Sequence, residues 1–207
     1  MIVSPGYPGV AFTTAADGDP RGNPADREMV SDRLGIGRDW AFVHQVHGSH
    51  VARATTPGDQ GGGDALFTSQ IGFPVAVFTA DCFGVALVAD GAVGVAHAGW
   101  RGIVAGVIPA LAGAMSAVGF PPVRAAVGPG IGPCCYEVGS DVERYFPSHG
   151  AETTWGTRSV DLPGAVRTQL EDLEVWEAGM CTRCSTGLHS HRADSTPARM
   201  ATIAWIC

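Results

Sequence analysis

The stretch TADCFGVALVADGAVGVAHAGWRG, residues 79–102, constrains the fold more than any other part of the chain. Two apolar runs, 84–89 and 92–98, flank Asp90-Gly91, a dipeptide suited to a tight hairpin turn, so they are expected to lie side by side as strands. Strand cores are normally built from aliphatic and aromatic side chains. Here Cys82 and His97 interrupt the apolar pattern, each beside small residues that allow close approach. Either they are bystanders in a core, or the runs exist to hold them.

Side chains of a strand alternate between its faces, which says what each polar residue can share. Read as one strand, GFPVAVFTADC puts Cys82 on the face of Ala76, Phe78 and Ala80, with Asp81 opposite. His97 shares a face with Val93 and Val95. Read as a strand, WAFVHQVHG puts Gln45 and His47 on one face and His44 on the other. The hairpin brings Cys82 and His97 to the same end of one sheet, where sites tend to be built. Two imidazoles and a thiolate suit Zn²⁺ and leave a fourth position open. The wide spacing leaves open a small hydrophobic Cys and a hydrogen-bonded His.

The rest of the chain alternates strands and helices. VAFTT, DALFT, VRAAVGP, VWEAG and RMATIAWI read as strands, and TTPGDQGGG as a loop with little side chain. PADREMVSDRLGI has helical spacing between Pro24 and Gly35, and GSDVERYF reads as a short helix. SVDLPGAVRTQLEDL is a helix with Asp161 as N-cap and Pro163 in the first turn. IVAGVIPALAGAMSAVG reads as a buried helix that Pro109 either kinks or starts late. No linker or repeat divides residues 1–207, so one α+β or mixed α/β domain is expected.

Charge excludes some functions. The net charge is −7 and no Lys/Arg cluster stands out, which argues against a nucleic-acid partner. The N-terminus lacks a secretory pattern, and Asp81 and Asp90 break the longest apolar stretch, so neither export nor a membrane span is expected. The expected location is the cytoplasm, with the six cysteines reduced. CTRC with two nearby histidines resembles a second zinc pattern, but a structural zinc needs four ligands on compatible turns, so a second metal is not expected. Cys134 and Cys135 are adjacent, and in an extended segment they could not both face one site, so a packing role is expected.

Several motifs occur together: QVHG (45–48), DALFT (64–68), TADC (79–82), AHAGWRG (96–102), GPGIGPCCYEVG (128–139) and CTRC (181–184). In this order they resemble the YfiH-type, polyphenol-oxidase-like family, which includes zinc-dependent purine nucleoside phosphorylases and a peptidoglycan editing factor. The resemblance implies a single-domain four-layer α-β-β-α sandwich with mixed sheets. It also implies a zinc held by His47, Cys82 and His97. The chain departs from the family pattern in a shorter N-terminal segment, in Gly130 where Cys is frequent, and in Leu188 and His189 where aromatics are common.

The implied reaction is phosphorolysis of adenosine or inosine, with adenosine deamination as a second activity. Arg101 would hold the phosphate, and Asp81 and Gln45 are further candidate catalytic residues. Trp100 is expected to pack, or to stack on a purine. Amide hydrolysis of a peptidoglycan precursor is the alternative. A copper polyphenol oxidase ranks lower, because only seven histidines are present. Metal-free catalysis with Cys82 as nucleophile and His97 as base, or a zinc that only stabilises a binding module, are further rivals. The expected partners are a purine nucleoside and phosphate, and the chain is expected to be a monomer or homodimer.

Overall fold

The computed structural model describes all residues, 1–207. It contains fourteen strands: β1 (Ile2–Val3), β2 (Val10–Phe12), β3 (Ala41–His44), β4 (Val51–Arg53), β5 (Gly58–Gly62), β6 (Ala65–Thr68), β7 (Val75–Thr79), β8 (Phe83–Ala89), β9 (Ala92–Ala98), β10 (Arg124–Val127), β11 (Gly150–Glu152), β12 (Arg158–Val160), β13 (Glu174–Glu177) and β14 (Met200–Ala204). The α-helices are α1 (Pro24–Leu34), α2 (Trp100–Val104), α3 (Val107–Ala117), α4 (Ser140–Glu143), α5 (Leu162–Thr168) and α6 (His191–Asp194). Twelve strands form two mixed six-stranded sheets, ordered β1-β2-β14-β7-β3-β5 and β13-β10-β8-β9-β6-β4. The remaining pair, β11 and β12, makes a separate ribbon.

Strand alternation sorts the core into three layers. Val75 and Val77 of β7, with Val10 and Phe12 of β2, face Leu66, Val93 and Val95 of the second sheet. The intervening Ala76 and Phe78 turn outward and pack with Val30 of α1 and the buried Trp40. On the other side, Val85 and Leu87 of β8 and Ala96 of β9 pack under Ile108, Leu111 and Met115 of α3 and Val166 of α5. Helix, sheet, sheet and helix therefore stack as the expected four-layer sandwich. Both sheets are covered on both faces, which is why their central strands read as unbroken apolar runs. Where β8 meets β14 the sheets approach so closely that a Cβ on Gly84 would collide with Thr202.

Local chemistry explains the element boundaries. Asn23 caps α1 by accepting from the Ala25 N–H, Pro24 occupies its first turn, and Gly35 ends it with φ +67°. Asp161 caps α5 through the Gly164 N–H. Pro109 starts a helix late: the chain breaks at Gly106, φ +75°, and the proline lies in the first turn of α3, where no intrahelical N–H is needed. Gly91, φ +78°, makes the turn between β8 and β9, whose register pairs Phe83 with Ala98 and Gly84 with His97.

Three expectations need correction. The segment read as a loop at TTPGDQGGG carries β5, an edge strand paired in parallel with β3. An edge strand needs backbone hydrogen bonds more than a side-chain pattern, so its glycines hid it. The strand expected to reach Cys82 stops at Thr79, and residues 80–82 form a turn with Asp81 at φ +87°. The strand expected to reach His47 stops at His44, and His47 itself has φ +62°. Alternation therefore does not set the faces of Cys82 or His47.

Candidate metal centre

The two sheets meet at the end where β7 crosses over into β8. His47 follows β3 of the first sheet, Cys82 sits in the crossover turn, and His97 lies on β9 of the second sheet. Their ligand atoms all lie within 4.8 Å of one another, and the two imidazole rings meet edge-on with centroids 4.8 Å apart. The three side chains named from sequence are thus brought together, although they are 35 and 15 residues apart along the chain.

Asp64 organises this cluster. It is fully buried at the start of β6. Its carboxylate accepts the N–H groups of Val46 (3.2 Å), His47 (2.8 Å) and Gly48 (2.6 Å), and the Nδ1–H of His97 (2.8 Å). These bonds fix the loop in which His47 adopts its left-handed backbone, a conformation uncommon for a non-glycine residue. They also turn Nε2 of His97 away from Asp64, so that it can bind an ion when its proton leaves, as carboxylate–imidazole pairs do in metal sites. Burial raises the Asp64 carboxyl, but His97 and the backbone donors outweigh it and hold it below the usual carboxylate range. The sequence reading gave Asp64 no role. An acidic residue opening a fully buried strand was the available signal.

The same geometry tunes the ligands. Burial pushes the Cys82 thiol up, yet the imidazoles of His47 and His97 bring it down to about 6. Burial pushes His97 down, yet Asp64 and Cys82 raise it to about 9. Without an ion, Cys82 and His97 therefore behave as a thiolate–imidazolium pair. A bare Gly99 makes the close approach possible: a Cβ there would lie 2.8 Å from Cys82 Sγ and 3.2 Å from His47 Cδ2. The donor set is one that zinc accepts, with three protein ligands and room for a fourth.

A cavity of about 390 Å³ opens onto the cluster, within the range of small-molecule sites. Arg21, Arg192 and Arg199 line it, together with Tyr136 and Phe78, and Asp81 supplies the carboxylate of its wall. A cationic cavity in a protein of net charge −7 points to an anionic ligand. Burial pushes the Tyr136 phenol up to about 12, so it stays protonated and able to donate.

The sequence-derived catalytic candidates fall in different places. Asp81 lines the cavity, but Oδ1 accepts the hydroxyls of Thr182 (2.6 Å) and Ser190 (2.7 Å), and Oδ2 accepts the Arg192 N–H (2.6 Å). Gln45 also lines it, with its amide paired to both backbone groups of Phe78. Arg101 is exposed and stacks 4.2 Å over the Trp100 ring, outside the cavity lining. Trp100 packs beside Tyr145 and is likewise outside it. The sequence reading did not single out Arg21, Tyr136 or Arg199 for the site. They come from distant segments, and only the fold assembles them.

Residues 4–207 match the family model described as multi-copper polyphenol oxidoreductase laccase. The chain is 39% identical over 208 residues to purine nucleoside phosphorylase SCO2081 of Streptomyces coelicolor, covering 93% of this chain and 86% of that one. It is 39% identical over 202 residues to a purine nucleoside phosphorylase of Deinococcus radiodurans, covering 91% and 78%. Among solved structures, YlmD from Geobacillus stearothermophilus matches with a TM-score of 0.82 and 27% identity, covering 95% of this chain and 91% of that one. No helix is long and apolar enough to cross a membrane.

Proposed function

The chain belongs to the multi-copper polyphenol oxidoreductase laccase family, the YfiH-type family its motifs resemble, and we propose that it is a purine nucleoside phosphorylase working with one zinc ion. One observation carries the reading: three arginines converge on a cavity that also contains two imidazoles and a thiolate placed to hold a metal. The names of its relatives support the phosphorylase part of that reading.

Phosphorolysis breaks the bond from ribose C1′ to the purine nitrogen and forms one from C1′ to a phosphate oxygen. The products are ribose 1-phosphate and a free base, which takes up a proton. Arg21, Arg192 and Arg199 hold the phosphate, because guanidinium groups match phosphate oxygens in charge and geometry. Phe78 and Tyr136 offer aromatic surface to the base, and the neutral Tyr136 phenol donates a hydrogen bond. Zinc, when bound by His47, Cys82 and His97, supplies Lewis-acid polarisation of a substrate oxygen. Asp81 and Gln45 act as positioning residues: one ties the crossover turn to residues 182–192, the other pins β3 to Phe78. Arg101 contributes only its charge, which reaches Tyr136.

The test incubates zinc-loaded protein with adenosine or inosine, with and without phosphate. Ribose 1-phosphate and free base are expected only when phosphate is present. Inosine formed from adenosine without phosphate would reveal a deaminase. No turnover of nucleosides, with cleavage of a muramoyl-peptide precursor, would make it an editing hydrolase. Oxidation of a phenol only by copper-loaded protein would make it an oxidase.

A further inference from the structure

A second group of metal-binding side chains lies outside the cavity. The sulfurs of Cys134, Cys135, Cys181 and Cys184 all lie within 4.8 Å of one another. Cys184 Sγ is 3.5 Å from Cys134 Sγ and 3.1 Å from Cys135 Sγ, and none of the four is in a disulfide. Cys134 and Cys135 occupy a turn after Pro133, so the backbone is not extended and both thiols reach the same point. Cys135 packs in the core and Cys134 against it, as expected, and the turn adds a shared thiol cluster that an extended segment would not allow. The partners of CTRC are these two cysteines, not the nearby histidines.

The surroundings have the features of a thiolate cage. Zinc bound by four sulfurs at about 2.3 Å spaces them about 3.8 Å apart along the edges of a tetrahedron. The separations of 3.1 and 3.5 Å fall a few tenths of an ångström to about 0.7 Å short of that spacing, and all four sulfurs lie within 4.8 Å of one another. The Gly132 N–H donates to Cys181 Sγ at 3.2 Å, a bond that favours thiolate over thiol. Gly132 packs tightly on the cluster: a Cβ there would lie 3.3 Å from both Cys134 Sγ and Cys181 Cβ. A second cavity of about 370 Å³ is lined by Cys134 and Cys181 and gives an ion a way in.

We infer that Cys134, Cys135, Cys181 and Cys184 form a closed four-thiolate site for a structural zinc ion, separate from the His47, Cys82 and His97 centre. Binding balances as Zn²⁺ plus four thiols giving a tetrathiolate complex and four protons released to solvent, with no redox change. All four positions are filled by protein, so the site offers no coordination to substrate. Its role is to staple the loop after β10 to the segment before α6. Gly130 and Cys181 already form a bridge there, and the Thr182 N–H donates to Gly130 O. Thr182, inside the Cys-x-x-Cys turn, donates in turn to Asp81, the neighbour of Cys82. Ile131 and Tyr136, on the stapled loop, line the cavity. The ion would thereby hold one wall of the catalytic cavity in place.

The test is native mass spectrometry of protein expressed and purified with zinc and a reductant. Two zinc ions per chain are expected in the unaltered protein. His47→Ala should keep one, and X-ray absorption of that variant should show four sulfur neighbours and no nitrogen. Cys184→Ser should lose the same ion and keep the one at His47, Cys82 and His97. The inference is overturned if His47→Ala holds no zinc. It is equally overturned if the absorption spectrum shows nitrogen ligands, or if the protein mass is two or four hydrogens low, the mark of disulfides.

Discussion

Replacing Asp64 with Asn keeps its shape and removes its ability to accept on both sides. One orientation of the amide turns its NH₂ toward the N–H groups of Val46 and Gly48, and two buried donors lose their partner. At about 1–3 kcal/mol for each unsatisfied group, that orientation costs about 2–6 kcal/mol. The other orientation faces the His47 N–H and His97 Nδ1. His97 can then accept at Nδ1 only by carrying its proton on Nε2, the nitrogen needed for the metal. This choice costs about 1–3 kcal/mol for the His47 donor and weakens the metal site as well. The side chain takes the cheaper orientation, so guanidinium unfolding of the metal-free protein should show a loss of about 1–3 kcal/mol, against a total stability on the order of 5–15 kcal/mol. Zinc competition with a chromophoric chelator should show affinity lowered by about 10–100-fold. A variant within about 0.5 kcal/mol of the parent, with unchanged zinc affinity, would refute the claim that Asp64 builds the centre.

Other substitutions probe the same geometry. Gly99→Ala puts a methyl against Cys82 Sγ and His47, so zinc affinity should fall by about 10-fold or more while overpacking costs about 1–3 kcal/mol; equal affinity in the chelator competition would contradict this packing. In metal-free protein, alkylation of Cys82 followed on its own peptide should rise through a midpoint of about 6, because below it the thiol is protonated, and zinc should protect it. A midpoint at the ordinary cysteine value of about 8.5 would show that the imidazoles do not stabilise the thiolate. Arg21 lines the cavity and has no hydrogen-bond or ion-pair partner in the protein. Arg21→Ala should raise KM for phosphate by about 10–100-fold, the worth of one charge-assisted hydrogen bond, with thermal stability unchanged; an unchanged KM would remove Arg21 from the anion site.

Much of the architecture was legible because local and global signals agree. The β8–β9 hairpin could be read from two apolar runs and Asp90-Gly91, and α1 and α5 from their capping residues and prolines. The elements that were hidden depend on distant partners. β5 is a glycine-rich edge strand held by β3, and β4 is a three-residue strand placed by β6. In the site, the hairpin was enough to bring Cys82 and His97 to one sheet end. His47 followed only from the motif resemblance, because a left-handed backbone off the end of β3 leaves no periodic trace. Asp64 left one signal, an acidic residue opening an apolar strand, but the arginines were illegible because their roles arise from segments up to 180 residues apart, as the bond from Arg199 N–H to Asp19 shows. The packing of Cys134 and Cys135 was legible, but their meeting with Cys181 and Cys184 was not, because it depends on a turn at 133–135 and on a segment about fifty residues away.

The most direct test is a crystal structure of zinc-supplemented protein, with anomalous diffraction collected on both sides of the zinc edge. It should place one ion between His47, Cys82 and His97, bound through Nε2 of His97, with a water or phosphate oxygen as the fourth ligand. A fourth protein ligand on that ion, or no anomalous peak among these three residues, would contradict an open metal centre and the chemistry proposed for it.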